Sequence, residues 1–197
     1  MNATIREAIE TIALAALAFL LLHATLQNYQ VKGPSMDPQL TNDELVFVNK
    51  AVYLNIDLGR VARFLPWVEA EEGEKWFPFH APRRGDVVVF ENPQDPTAPD
   101  FVKRVIGEPG DTVTIDAGQV LINGELLNEP YIERRSRDTH RPVVVGSDEY
   151  FVLGDNRPQS EDSRAFGTVP RDDIVGKVWL GYWPLSQFGL LQARLGW

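Results

Sequence analysis

Val113-Thr114-Ile115, after the turn formers Pro109-Gly110-Asp111, and Val120-Leu121-Ile122, running into Asn123-Gly124, carry the fold signal of this chain. β-branched runs bounded by turn residues read as short strands, and Asn-Gly between such runs is a strong hairpin signal. The pattern repeats on both sides. Upstream, Thr41-Asn42-Asp43 precedes Glu44-Leu45-Val46-Phe47-Val48, and Arg84-Gly85-Asp86 precedes Val87-Val88-Val89-Phe90. Downstream come Val143-Val144-Val145 and Tyr150-Phe151-Val152-Leu153. No long amphipathic helix separates these runs, which argues against βαβ units and for a mostly-β, antiparallel body.

The composition narrows the function classes. The 197 residues carry 19 Lys and Arg against 28 Asp and Glu, a net charge of −9, and 44% are hydrophobic. That apolar share is too high for a disordered chain. With no cysteine there is no disulfide framework, thiol nucleophile or iron–sulfur site. The acidity lacks the electrostatic footprint of a nucleic-acid binder. HExxH, GxGxxG and P-loop patterns are absent, and no metal or cofactor is expected.

The N-terminus differs from the rest. Residues 1–28 hold only Arg6, Glu7 and Glu10 as charged side chains, and Ile12 to Leu22 contains no polar one. As a helix, Ala8 to Leu26 would reach about 28 Å, close to a bilayer's hydrocarbon core. A cleaved leader fits poorly, because the first residues are not basic and Leu22 sits where a small −3 residue is needed. A buried core helix and an uncleaved membrane anchor remain, and length favours the anchor. This divides the chain into an anchor with its tip over 1–28 and a β-rich domain over 29–197.

Two segments lie outside the strand pattern. Residues 54–82 read as a long insertion-like loop, and Val178 to Trp197 is aromatic-rich; together they hold all five tryptophans. Such rings serve either as core or as contacts at a membrane interface.

Three stretches could carry chemistry. In Gly33-Pro34-Ser35-Met36-Asp37-Pro38, two prolines and a glycine fix the backbone around one serine. Such a turn could present a nucleophile, or be an ordinary turn. In Phe101-Val102-Lys103-Arg104-Val105-Ile106, strand alternation would set Lys103 beside Phe101 and Val105, with Arg104 on the opposite face. A lysine among apolar neighbours either loses its proton easily or snorkels to water. Gly154-Asp155-Asn156-Arg157, with Ser160, Asp162, Ser163 and Arg164, forms either a solvated loop or a salt-bridged support for a site.

Together, in this order and behind an apolar N-terminus, these stretches resemble the bacterial type I signal peptidases. Asn123-Gly124-Glu125 and Glu129-Pro130-Tyr131-Ile132 match a further recurring stretch, and the similarity runs from about Ile5 to Pro184. The resemblance implies a signal-peptidase-like antiparallel β body with one transmembrane helix. It also implies a Ser–Lys dyad in which Ser35 attacks the scissile carbonyl and neutral Lys103 takes its proton. A free lysine has a pKa of about 10.4, so a useful base requires burial. By the same resemblance, Ser160 orients the lysine and Asp162 pairs with Arg164. Arg104 is expected to reach Asp155. Tyr29, Val31, Met36 and Val102 would line the substrate pocket. Some relatives place a serine where Gly33 stands, so the oxyanion hole is expected from backbone N–H groups around Gly33 and Ser35.

The implied substrates are signal peptides of secreted preproteins, cut after small residues in Ala-x-Ala sites. The implied setting is the plasma membrane, with membrane lipid and the secretion translocon as partners, the N-terminus cytoplasmic and the catalytic domain extracytoplasmic. Self-cleaving Ser–Lys repressors are one alternative, but they carry a DNA-binding helical domain in place of an apolar helix. A membrane-tethered β-domain that binds peptides without cutting them is another.

Overall fold

In the computed structural model, Asn123 and Gly124 both hold positive φ, 53° and 87°, and join two antiparallel strands, as the Asn-Gly signal predicts. The structure describes residues 3–53, 56–57, 75–76, 80–95 and 97–191. Its helices are α1 (Ala3–Thr25) and the single turn α2 (Ser163–Phe166). Its strands are β1 (Leu26–Gln30), β2 (Leu45–Asn49), β3 (Ile56–Asp57), β4 (Lys75–Trp76), β5 (Val87–Phe90), β6 (Phe101–Gly107) and β7 (Thr112–Asp116). They continue as β8 (Gln119–Ile122), β9 (Glu125–Leu126), β10 (His140–Val144), β11 (Glu149–Leu153), β12 (Val169–Pro170), β13 (Ile174–Trp183) and β14 (Gly189–Leu190). The expectation of a mostly-β, antiparallel body holds.

An eight-stranded sheet has the order β1-β2-β13-β5-β6-β11-β12, with β14 on β13. A second sheet has the order β10-β7-β8-β9, and β3 pairs with β4. Because side chains alternate across a strand, β5 and β6 feed three cores at once. Val87, Val89 and Val102 pack with Val31, Met36 and Val46. Val88, Phe90, Phe101 and Val105 form a second cluster with Tyr150 and Val152. Ile106 joins Phe151 and Leu153 against the inner face of the second sheet. The strand that carries Lys103 is therefore held from both faces.

Two features depart from the sequence reading. The helix ends at Thr25 and Leu26 already pairs with Asn49, so the sheet starts before residue 29. The aromatic C-terminal segment opens inside β13, the longest described strand, which pairs with β2 and β5 in the middle of the sheet. The 54–82 loop lies mostly outside the described residues, apart from the β3–β4 pair and the strand-free stretch from His80. The α1 segment Ile5–Thr25 is long and apolar enough to cross a membrane, and none of it is buried. That exposure removes the core-helix reading.

Candidate active site

Ser35 sits in a turn fixed from several sides. Val31 N donates to Glu44 O at 2.8 Å, Asp43 N to Val31 O at 2.8 Å, and Asp37 N to Pro34 O at 3.1 Å. Gly33 holds φ at +83°, a conformation that side chains with a Cβ resist. Its N–H is taken by Asn42 Oδ1 at 2.7 Å. Among the described residues Ser35 N–H has no partner, so it is a free backbone donor of this turn.

Lys103 stands on β6 opposite Val88. Its Nζ donates to Ser35 Oγ at 3.0 Å and to Val102 O at 3.0 Å, and lies 5.1 Å from the centre of the Phe101 ring. Only 4% of the residue is exposed. Burial pulls its pKa down to about 8, against the opposing pull of the Asp162, Glu161 and Asp155 carboxylates. The two residues read from separate stretches of sequence are thus in direct contact, with the lysine able to give up its proton far more readily than a free one.

Behind them lies a buried polar frame. Arg104, on the face of β6 opposite the core that holds Phe101, makes a bidentate pair with Asp155 at 2.8 and 2.6 Å. It also donates to Gly85 O at 2.7 Å and stacks its guanidinium 4.1 Å from the Tyr131 ring centre. Arg164 pairs with Asp162 through two bonds of 2.8 Å, and Asp162 accepts from Gly154 N at 3.1 Å. The frame reaches Ser35 through Asn156, whose backbone N donates to Ser35 O at 3.1 Å and whose Nδ2 donates to Pro34 O at 3.0 Å. Asp155 and Asn156 are adjacent, so one dipeptide grips the neighbour of Lys103 and the turn of Ser35.

The close fit explains Gly154. A Cβ there would stand 2.5 Å from Ser35 O and 2.6 Å from Ser160 Cβ. Ser160 therefore lies against the Ser35 turn, but its Oγ is buried with no hydrogen-bond partner among the described residues, and it makes no bond to Lys103. Met36 also differs from its expected place: it is fully buried in the core with Leu40 and Val48 and lines no part of the groove.

The groove beside Ser35 has a volume of about 560 Å³, and Tyr29, Val31 and Val102 line it as expected. Ala98, Pro99 and Asp100 contribute to its wall and had no signal in the sequence. The groove has two unfilled strand edges. β1 ends the large sheet, and β11 pairs with β6 only from Arg104 onward, leaving Phe101–Lys103 bonded on one side. Asn156 and the buried Arg157–Glu129 pair were also missed as supports, although both arginine and glutamate lie in quoted motifs.

Comparison with known proteins places the chain in a family. The family model described as signal peptidase, peptidase S26, matches residues 5–183. A signal peptidase IB from Staphylococcus aureus is 34% identical over 93% of both chains. A signal peptidase I from Leptolyngbya laminosa is 44% identical, over 57% of this chain and 59% of that protein. The chain thus spans little more than half the length of that relative. The solved structure of a signal peptidase I from Enterococcus faecalis is 32% identical, covering 50% of this chain and 97% of that one, with a TM-score of 0.43. The matched span and the near full-length similarity agree: the chain belongs to the signal peptidase family, peptidase S26.

Proposed function

We propose that this chain is a membrane-anchored serine endopeptidase that removes signal peptides from exported preproteins, cutting after small residues in Ala-x-Ala sites. The observation that carries the reading is the 3.0 Å contact between Lys103 Nζ and Ser35 Oγ, with the lysine buried and its pKa near 8. Such a base is close to the optimum for work near neutral pH. Lys103 takes the proton as Ser35 Oγ attacks the scissile carbonyl. The oxyanion forms against Ser35 N–H, and the proton passes from Lys103 to the leaving amine. Lys103 then activates the water that hydrolyses the acyl-enzyme.

The substrate is extended and pairs with the free edges of β1 and of Phe101–Lys103, so backbone bonds hold it while alternate side chains enter the groove. Tyr29, Val31 and Val102 bound those subsites. Arg104–Asp155 and Asp162–Arg164 are positioning pairs, and Ser160 completes the packing behind the lysine. The anchor spans the membrane with its tip in the cytoplasm and the β domain outside. There it meets preproteins leaving the translocon, and tethering raises their effective concentration. Exposed Trp183, Leu185 and Phe188 favour lipid contact by the same domain.

The test is cleavage of a preprotein with an Ala-x-Ala site by the full chain in detergent, beside Ser35→Ala and Lys103→Ala. The wild type is expected to cut and both variants to lose at least about 10³-fold in rate. An intact substrate with wild type, while the peptide still binds, supports the peptide-binding alternative.

A further inference from the structure

Tyr29 Oη donates to Asp100 Oδ2 at 2.9 Å across 71 positions of sequence. The bond leaves edge strand β1 and reaches the residue just before β6, so it ties one wall of the groove to the other. Both residues line that groove. The Tyr29 ring rests on the core cluster around Val31 and Met36, which holds its near side while Asp100 holds its hydroxyl. The Asp100 carboxylate has no other hydrogen-bond partner among the described residues. Burial, reinforced by that carboxylate, pushes the Tyr29 phenol up, so it stays a donor at any working pH.

We propose that the Tyr29–Asp100 hydrogen bond is a bar across the groove that sets the largest side chain accepted at position −3, which makes Asp100 a specificity-determining residue. The inference rests on the signal peptidase reading above. Its reach follows from strand geometry. Asp100 is three residues before Lys103, about 10 Å along an extended strand. The −3 side chain points the same way as the −1 side chain and lies about 7 Å from it. With −1 beside Lys103 and the peptide running parallel to Phe101–Lys103, the bar stands just beyond the −3 position. A methyl or isopropyl group fits short of it, and a longer side chain meets it. The wall cannot move outward while the bond holds, because Tyr29 is packed from below. Breaking the bond frees the Ala98–Asp100 segment to withdraw.

The experiment measures kcat/KM for two peptides that differ only in Ala or Leu at −3, using the full chain in detergent. Wild type should prefer Ala strongly. Tyr29→Phe, which keeps the ring, and Asp100→Ala, which removes the acceptor, should each shift the Leu/Ala ratio toward Leu by about three- to tenfold, the worth of one hydrogen bond. Asp100→Asn still accepts from the phenol and should hold the wild-type ratio within about twofold. An unchanged ratio in both Tyr29→Phe and Asp100→Ala overturns the bar. So does a shift in Asp100→Asn as large as that in Asp100→Ala, because charge would then be the selector. If wild type cuts neither peptide, the peptidase reading itself fails and the bar falls with it.

Discussion

Lys103 is expensive to bury, and the cost is measurable. In the folded chain its pKa falls to about 8 from 10.5, so between those values the unfolded state binds more protons. Stability therefore rises with pH from about 8 to 10.5, and below pH 8 the full penalty is present. The gap corresponds to about 3 kcal/mol. Lys103→Met should accordingly be more stable than wild type at pH 7, by about 1–3 kcal/mol in urea titrations. The advantage should shrink as the pH approaches 10.5, and a gain that is constant with pH would contradict a buried lysine. Lys103→Arg carries a guanidinium that cannot give up its proton, so its cleavage rate should match that of Lys103→Ala. Robust cutting by Lys103→Arg at neutral pH would rule out a lysine base. Ser35 and Lys103 were legible because each lies in a motif. The resemblance put Met36 in the pocket, whereas the turn sends its side chain into the core. Asp100 left no local trace, and Arg157 and Glu129 lay in motifs without any sign that they pair, since partners distant in sequence meet only through the fold.

At the level of elements, the β-branched runs announced their strands, and β5, β7, β8 and β11 lie where those runs stand. Besides several two-residue strands, two longer ones escaped for physical reasons. β1 reads Leu-Gln-Asn-Tyr-Gln, an edge strand with polar side chains exposed to water, and it continues from the anchor without a break. β13 reads Ile-Val-Gly-Lys-Val-Trp-Leu-Gly-Tyr-Trp, with two interior glycines that lower strand propensity, and its register against β2 and β5 shifts at several points. Only its pairing with β2, β5 and β14 makes it a strand. The loop from Gly154 to Arg164 is the element on which the site depends most. In Gly154→Ala the new methyl would displace the Ser35 carbonyl, and shifts of about 1 Å at a catalytic group cost about 10²-fold in rate. Steady-state kinetics should show kcat falling by that order with KM little changed. A variant as fast as wild type would mean the turn can absorb the methyl.

For the whole molecule, the sequence average of −9 conceals a nearly uncharged helix joined to an acidic β body. The helix was legible from apolar length alone, and its freedom from packing against the body matches an anchor. The exposed rings of Trp183 and Phe188 suggest a second point of lipid contact. Removing residues 1–25 should lower sedimentation with phospholipid vesicles, and adding Trp183→Ser and Phe188→Ser should lower what binding remains. Vesicle binding equal to that of the full chain after both changes would contradict both anchors. A buried lysine acting as base for Ser35 would show itself in the pH dependence of kcat/KM for preprotein cleavage by the full chain in vesicles. Cleavage should rise with pH through an inflection near 8, where Lys103 loses its proton. An inflection at about 6.5, the value of an ordinary histidine, would contradict it.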